Sequence, residues 1–69
     1  MSDSVYKVIE LVGTSPNSWE EAAKKAVERA TKTLRDVRVA EVSELDMKIE
    51  NGNVSQYRAK VKVSFKFEN

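Results

Sequence analysis

Hydrophobic and polar positions follow different periods in successive parts of the chain. β-Branched and other apolar residues crowd both parities of residues 4–12, which predicts a first strand. A strand with one wet face would alternate more cleanly, so both of its faces are expected to be covered. Residues 13–17 interrupt this pattern, and apolar positions then recur at helical spacing over residues 19–35. The predicted helix has a mostly alanine apolar face, which allows a sheet to approach closely.

The predicted helix start carries a capping signature. Ser18 and Glu21 have the spacing of a capping box, in which the hydroxyl accepts from the third helical N–H and the carboxylate reaches back to the cap N–H. Trp19 follows the cap directly. An aromatic at such an amphipathic position is interpreted as packing in the core or at an interface, rather than as a stacking platform.

Two long strands, Val37–Glu50 and residues 54–68, are predicted after the helix. Asn51-Gly52 joins them, and both residues tolerate the positive φ of a tight hairpin turn. The third strand alternates strictly, so one of its faces must pack on the helix. That apolar set is Tyr57, Ala59, Val61, Val63, Phe65 and Phe67.

The second strand changes parity along its length. Because a slip of one residue exchanges the two faces of a strand, a β-bulge near Ser43 and Glu44 is predicted. With that bulge, the residues expected to face the helix are Ala40, Val42, Leu45 and Met47. Val37 and Val39 are then expected to face away from the core, which indicates an interface or a ligand platform.

Length and composition restrict the classes of function. With 69 residues, the chain is expected to form a single domain (1–69) that buries only about 60% of its unfolded surface. Cysteine and histidine are absent, which excludes disulfides, thiolate metal sites and imidazole catalysis. No nucleophile sits beside a recognisable base, so the protein is predicted not to be an enzyme. Oligomerisation is the remaining route to a stable fold.

Net charge and the absence of targeting signals restrict the classes of partner and the cellular location that we expect. The net charge of +1 does not indicate a dedicated nucleic-acid binder. The first ten residues lack a long apolar run, so we expect neither a signal peptide nor a membrane span, and a cytoplasmic location.

Two charged rows on the predicted sheet carry candidate chemistry. The basic row is Arg58, Lys60, Lys62 and Lys66, and the acidic row is Glu41, Glu44, Asp46 and Glu50. The hairpin register places Asp46 opposite Arg58 and Glu41 near Lys62, so mutual neutralisation is favoured over binding of a phosphate backbone. Carboxylates repeated around a symmetry axis could still converge on a hard cation such as calcium.

The stretches VYKVIELVGTSPNSWEEAAKKAVERA, RDVRVAEV, NGNV and QYRAKVKVSFKFE resemble the dodecins along nearly the whole chain. The resemblance implies an α+β fold: a βαββ subunit whose three-stranded antiparallel sheet wraps around one helix, assembled as a hollow homododecamer. It also implies non-catalytic binding and storage of a small ligand, flavin in many members. Coenzyme A near subunit junctions is a further ligand known in the family.

Three positions match the flavin pocket of the family. Val39 stands where flavin-binding dodecins carry a stacking tryptophan, and Arg58 stands where they carry a glutamine. Glu44 matches the acidic residue that contacts the ribityl chain. A valine lacks a π-face and an arginine cannot accept a hydrogen bond, so flavin binding is expected to be weak or absent.

The motifs SPxSWE and RVA resemble the branch described as calcium dodecin. Calcium is therefore an alternative ligand, with Glu44 and Asp46 as the expected contributors because they lie near the predicted bulge. A structural oligomer without a small ligand is the third alternative.

Overall fold

Three antiparallel strands and one helix succeed one another in a computed structural model, which describes residues 5–66. The elements are β1 (Tyr6–Ser15), α1 (Trp19–Thr33), β2 (Val37–Glu50) and β3 (Asn53–Lys66). The sheet order is β1-β3-β2, so β3 is the central strand and both β1 and β2 are edges. This arrangement confirms the βαββ order and the antiparallel pairing that the sequence predicts.

The helix lies unusually close to the sheet. The buried face of α1 consists of Ala22, Ala26 and Ala30, and it packs against Ala59, Val61 and Val63 of β3. A Cβ at Gly13 of β1 would overlap the carbonyl oxygen of Ala22 and lie 3.1 Å from the Cβ of Ala26. Only a glycine at this position allows the helix backbone to rest on β1.

The first strand is longer than predicted. It continues through Gly13 to Ser15, because the ladder with β3 extends from Tyr6 opposite Lys66 to Ser15 opposite Tyr57. Gly13 therefore does not break the strand, and the connection to the helix is correspondingly short. Ser4, where the sequence placed the strand start, lies outside the described residues.

The expectation that both faces of β1 are covered is wrong within one subunit. Val8 and Val12 are 55% and 54% exposed, because α1 covers only the opposite face of the strand. The near-continuous apolar pattern of β1 therefore includes a surface that a single chain leaves exposed.

The helix start confirms half of the capping box. The Ser18 hydroxyl accepts from the Glu21 N–H at 3.0 Å, as predicted. The reciprocal bond is absent among the described contacts. The Glu21 carboxylate instead accepts from the hydroxyl of Ser15 and from Asn17 Nδ2. Because Ser15 is fully buried, its hydroxyl takes the acceptor that the box would have used.

The helix ends two residues earlier than predicted. Leu34 is already extended, and its N–H donates to the Ala30 carbonyl oxygen at 2.9 Å. Asp36 then adopts a left-handed conformation with φ 56°, which turns the chain into β2.

The hairpin matches its predicted geometry at the turn and at the bulge. Asn51 and Gly52 have φ of 52° and 78°, as a two-residue turn requires. The register of β2 shifts between Val42 and Glu44, and the Ser43 hydroxyl donates to the Lys60 carbonyl oxygen at 3.2 Å. The structure starts β3 at Asn53, one residue earlier than predicted, while Phe67 and Glu68 lie outside the described residues.

A second register shift corrects the prediction for Val37. The shift lies between Val37 and Val39, so these two residues point to opposite faces despite their equal parity. Val37 pairs with Phe65 and packs against the core, whereas Val39 faces away and is 59% exposed. The prediction of an outward side chain is therefore confirmed for Val39 and wrong for Val37.

The apolar residues of β2 are on the predicted face but are not covered by the helix. Val42, Leu45 and Met47 pair with Val61, Ala59 and Tyr57 of the core-facing set of β3, and yet they are 47%, 53% and 45% exposed. The helix rests on β1 and β3, and the edge strand extends beyond it. Burial of this strip requires a surface from outside the subunit.

Replacing Gly13 by alanine is expected to destabilise the fold by about 3 kcal/mol or more, at the upper end of overpacking costs, because the obstacle is backbone rather than a flexible side chain. Gly52→Ala is the matched control. Its Cβ meets open space, so only the positive φ costs stability, about 1 kcal/mol. Urea unfolding followed by circular dichroism measures both, and equal losses would contradict the close-packing account.

Acid is expected to destabilise the helix start through Glu21. Hydrogen bonds from Ser15 and then Asn17, with the nearby charge of Lys25, lower the pKa of Glu21 below its ordinary value of 4.5. The ionised form therefore favours the folded state, and its contribution is complete above pH 4.5 and lost as the pH falls through the folded-state pKa.

Stability measured against pH should consequently fall less steeply in acid for Glu21→Gln than for the parent. Glu20→Gln is the control, because it removes a first-turn charge while leaving the Ser15 and Asn17 contacts intact. A parent-like acid slope in Glu21→Gln would exclude Glu21 as the source.

Candidate functional site

The sheet face opposite α1, called here the outer face, brings together most of the charged candidates. Directly paired residues of an antiparallel sheet share a face. Arg58 pairs with Asp46, Lys60 with Glu44 and Lys62 with Glu41. The three basic residues alternate along β3 with its buried residues, so they lie on the face that points away from the helix. The predicted pairing of Asp46 with Arg58 and of Glu41 with Lys62 is therefore confirmed in register, whereas Glu50 pairs with Asn53 and Lys66 with Tyr6.

Arg58 and Asp46 form a two-pronged ion pair. Arg58 Nε donates to Asp46 Oδ1 at 2.6 Å, and Nη2 donates to Oδ2 at 2.8 Å. The hydrogen bonds from Arg58 lower the pKa of Asp46, and the same contact raises the pKa of Arg58. Both side chains remain about half exposed, so the pair is open to exchange with solutes.

Glu44 and Lys60 form the neighbouring pair. Lys60 Nζ lies 3.1 Å from Glu44 Oε1, and the side chain of Glu44 is 67% exposed. The hydrogen bond with Glu44 is the main cause that raises the pKa of Lys60, followed by the charges of Glu44 and Glu10. Glu44 therefore presents its carboxylate at the edge strand with one contact, against two for Asp46.

Trp19 fixes the backbone beside these pairs. Its indole Nε1 donates to the Asp46 carbonyl oxygen at 3.0 Å, and its ring meets Tyr57 edge-on with centroids 5.0 Å apart. The interpretation of Trp19 as a packing residue is confirmed. Sequence reasoning missed the hydrogen bond to Asp46, since the partners are 27 residues apart and no local pattern joins them.

Asp46 is consequently engaged at every oxygen. Arg58 holds its two carboxylate oxygens and Trp19 holds its carbonyl oxygen. A bulge can free carbonyl groups for a cation, but here the indole of Trp19 takes the carbonyl at this position. Of the two predicted metal contributors, Glu44 is the more available in the isolated subunit.

Val39 lies on the outer face but apart from the other two pocket residues. It pairs with Ser64, which pairs with Val8 across the sheet. Ser64 is four positions along β3 from Lys60 and six from Arg58, or roughly 13 and 20 Å at 3.3 Å per residue. One chain thus brings Glu44 and Arg58 onto adjacent rows, whereas Val39 belongs to a separate apolar patch with Val8.

An apolar groove opens on the other face of the sheet, at the start of α1. Its volume is about 500 Å³, and its lining residues are Trp19, Glu20, Ala23, Val42 and Leu45. The sequence did not predict this groove, because its walls come from two elements whose separation depends on where the helix rests. It is continuous with the uncovered apolar strip of β2.

The described residues of one chain do not form a complete cation site. Within residues 5–66, no three acidic side chains converge closely enough to hold a metal ion. Glu44 and Asp46 fit a hard cation in the nature of their donors, since calcium prefers carboxylate oxygens, but it takes six to eight of them. Symmetry-related subunits or water must supply the rest. Over the same residues, no helix is long and apolar enough to cross a membrane.

Comparison with known proteins places this geometry among its relatives. The family model of the dodecins matches residues 5–68. The calcium dodecin of Mycobacterium tuberculosis is 54% identical over 63 residues, which cover 91% of this chain and 89% of the relative.

Solved structures agree with the sequence comparison. The dodecin from Streptomyces coelicolor superimposes with a TM-score of 0.92 at 39% identity, covering 100% of this chain and 99% of the other. A crystal structure of the M. tuberculosis calcium dodecin gives a TM-score of 0.84 at 53% identity, covering 94% and 93%. That structure is described as a calcium-chelating antigen with a novel calcium-binding site.

Proposed function

The chain belongs to the dodecin family, and on that basis we propose that it forms a non-enzymatic homododecameric shell that binds and stores a small ligand, and that this ligand is calcium. The observation that carries the proposal is the pair of exposed carboxylates, Glu44 and Asp46, on an edge strand of a chain 54% identical to a calcium dodecin.

Self-assembly is supported by the apolar surface that one subunit leaves open. Three exposed sets contribute: Val8 and Val12 on β1, Val39 on the outer face, and the strip of β2 and the hairpin. The strip consists of Val42, Leu45, Met47, Ile49 and Val54. A chain of this size buries only part of its own apolar surface, so leaving these residues exposed to water costs free energy of folding. Burial of the exposed residues against other copies of the subunit would remove this cost.

Calcium coordination is proposed to begin at Glu44. Its carboxylate has one partner among the described residues, Lys60, and lies on the outer face of the edge strand β2, which another subunit can approach. Asp46 contributes second, since it must first release Arg58. When bound, the cation would cross-link carboxylates and so reduce their mutual repulsion at a subunit junction.

Flavin and coenzyme A are weaker candidates for this chain. Val39 provides no ring for stacking, and Arg58 is occupied by Asp46 rather than free to meet the polar edge of an isoalloxazine. Arg58 and Lys60 could meet the phosphates of coenzyme A only after Asp46 and Glu44 are displaced. A shell without a small ligand is the outcome if neither calcium nor flavin binds.

Isothermal calorimetry is expected to detect calcium binding to the parent shell, and magnesium should bind more weakly because it demands a stricter octahedral geometry. Glu44→Gln should weaken calcium affinity by about tenfold or more, since the charge count of the ligands sets the affinity. Asp46→Asn should have a smaller effect. Glu50→Gln, on the same strand and paired with Lys48, is the matched control and should bind like the parent.

Native mass spectrometry of the same samples tests the assembly. A folded monomer at micromolar concentration would contradict the shell, because the exposed apolar strip would then have no cover. A parent shell that takes up no calcium at millimolar concentration would contradict the cation. Unchanged calcium affinity in both Glu44→Gln and Asp46→Asn would move the site elsewhere in the molecule.

Flavin affinity should rise when the missing platform is restored. The parent is expected to quench riboflavin fluorescence weakly, and Val39→Trp should bind it about tenfold more tightly, since ring stacking supplies ~1–3 kcal/mol. Adding Arg58→Gln should strengthen binding further by providing an acceptor. Val12→Trp is the control, because it places an indole on an equally exposed valine of β1. Tight riboflavin binding by the parent, or no gain in the double variant, would refute this account.

A further inference from the structure

We propose that Arg58 and Lys60 form a latent anion site, which Asp46 and Glu44 occupy in the calcium-free subunit and which opens when a divalent cation takes those two carboxylates. The ligand class is a phosphate or carboxylate anion. The opening step rests on the proposed calcium binding, whereas the site itself rests only on the geometry of the outer face.

The geometry of the Asp46 contact shows that the site is suited to such an anion. The carboxylate meets Nε and Nη2 of Arg58 with two hydrogen bonds of 2.6 and 2.8 Å. This fork is the arrangement in which guanidinium groups recognise carboxylates and phosphates. Asp46 therefore stands in for a ligand, and Lys60, two positions along β3 on the same face, supplies a second positive charge.

The same contact lowers the affinity of the site for free anions. Asp46 and Glu44 are held directly opposite Arg58 and Lys60 by the β2–β3 ladder. A free anion must compete with these tethered carboxylates, at a cost of up to about fivefold for each exposed pair. Because each carboxylate also cancels one positive charge, the closed face attracts anions only weakly.

A divalent cation can open the site because the closing pairs are weak. Exposed ion pairs of this kind shift an equilibrium by at most about fivefold, far less than a bound divalent cation can. The carboxylates of Asp46 and Glu44 lie on the edge strand, and the basic side chains of Arg58 and Lys60 lie on the central strand. Coordination of a divalent cation at the edge strand therefore removes the carboxylates without displacing the basic side chains. Calcium would thus uncover two adjacent positive charges.

Thermodynamic linkage makes this coupling reciprocal. If calcium raises the affinity for an anion by some factor, the anion must raise the affinity for calcium by the same factor. The shell would then take up calcium together with a phosphate-bearing or carboxylate-bearing counter-ligand, rather than calcium alone. A free calcium ion and a free anion would each bind less well than the pair.

The test uses methyl phosphate as the probe, followed by phosphorus NMR titration of the assembled protein at fixed ionic strength. The double variant Glu44→Gln/Asp46→Asn mimics the opened state without calcium. It should bind methyl phosphate more tightly than the calcium-free parent, by up to about twenty-five-fold, since two pairs of up to fivefold each are removed. Adding Arg58→Gln and Lys60→Gln should abolish this gain.

A control variant separates the specific effect from a general change of charge. Glu50→Gln releases Lys48 from an equally exposed pair on the same strand, and it should leave the affinity for methyl phosphate within about twofold. Circular dichroism and native mass must match the parent for every variant. Where the quadruple variant fails to assemble, Arg58→Gln in the double-variant background serves instead.

The outcomes distinguish this inference from the proposed calcium binding. A double variant that binds methyl phosphate no better than the parent overturns the latent site, whatever calcium does. A tighter double variant, with a parent that calcium also tightens, supports the whole proposal. A tighter double variant with a parent that calcium leaves unchanged supports the anion site and overturns the opening step, and calorimetry then shows whether calcium bound at all.

Discussion

The contact between the alanine face of α1 and Gly13 determines where everything else in the subunit lies. Because position 13 has no Cβ, the backbone of the helix at Ala22 rests directly on β1. The helix is thereby drawn toward β1 and β3, and it cannot also cover β2. The apolar strip of β2 and the groove beside Trp19 are left open as a consequence. A bulkier residue at position 13 would change which surface the subunit offers to its neighbours.

The edge strand β2 therefore carries two incomplete surfaces. On the helix side it presents apolar residues that its own subunit does not bury, and on the outer side it presents the carboxylates of Glu44 and Asp46. Trp19 links the two sides, since its ring packs on the helix side against Tyr57 while its N–H holds the Asp46 carbonyl oxygen. Packing at the groove and the backbone position of the acidic row are thus mechanically connected. A change in the packing of the groove is therefore expected to shift the backbone of the acidic row, and the reverse.

The outer face satisfies its charges internally, and this shapes what it can bind. Each of the two carboxylates has a basic side chain directly across the ladder, so the outer face is close to neutral there. Such exposed pairs stabilise little, and their role in a binding protein is better understood as a choice of ligand. On the proposal made above, they would disfavour dilute anions and be displaced by a divalent cation.

Features that depend on local periodicity and on the pairing of adjacent strands could be predicted from the amino-acid sequence. It predicted the element order, the Asn51-Gly52 turn, the bulge beside Ser43 and the pairing of Asp46 with Arg58, because alternation and a tight turn fix a hairpin register. The resemblance to the dodecins is likewise confirmed by the family match.

The position of the helix on the sheet depends on packing between distant elements, and the features that sequence reasoning missed follow from it. Gly13 looked like a strand breaker but is the site of closest approach. Val37 turned inward at a second register shift that no change of pattern marked. The bond from Trp19 to Asp46 joins residues 27 positions apart. These features depend on the distance between elements remote in sequence, which side-chain periodicity does not encode.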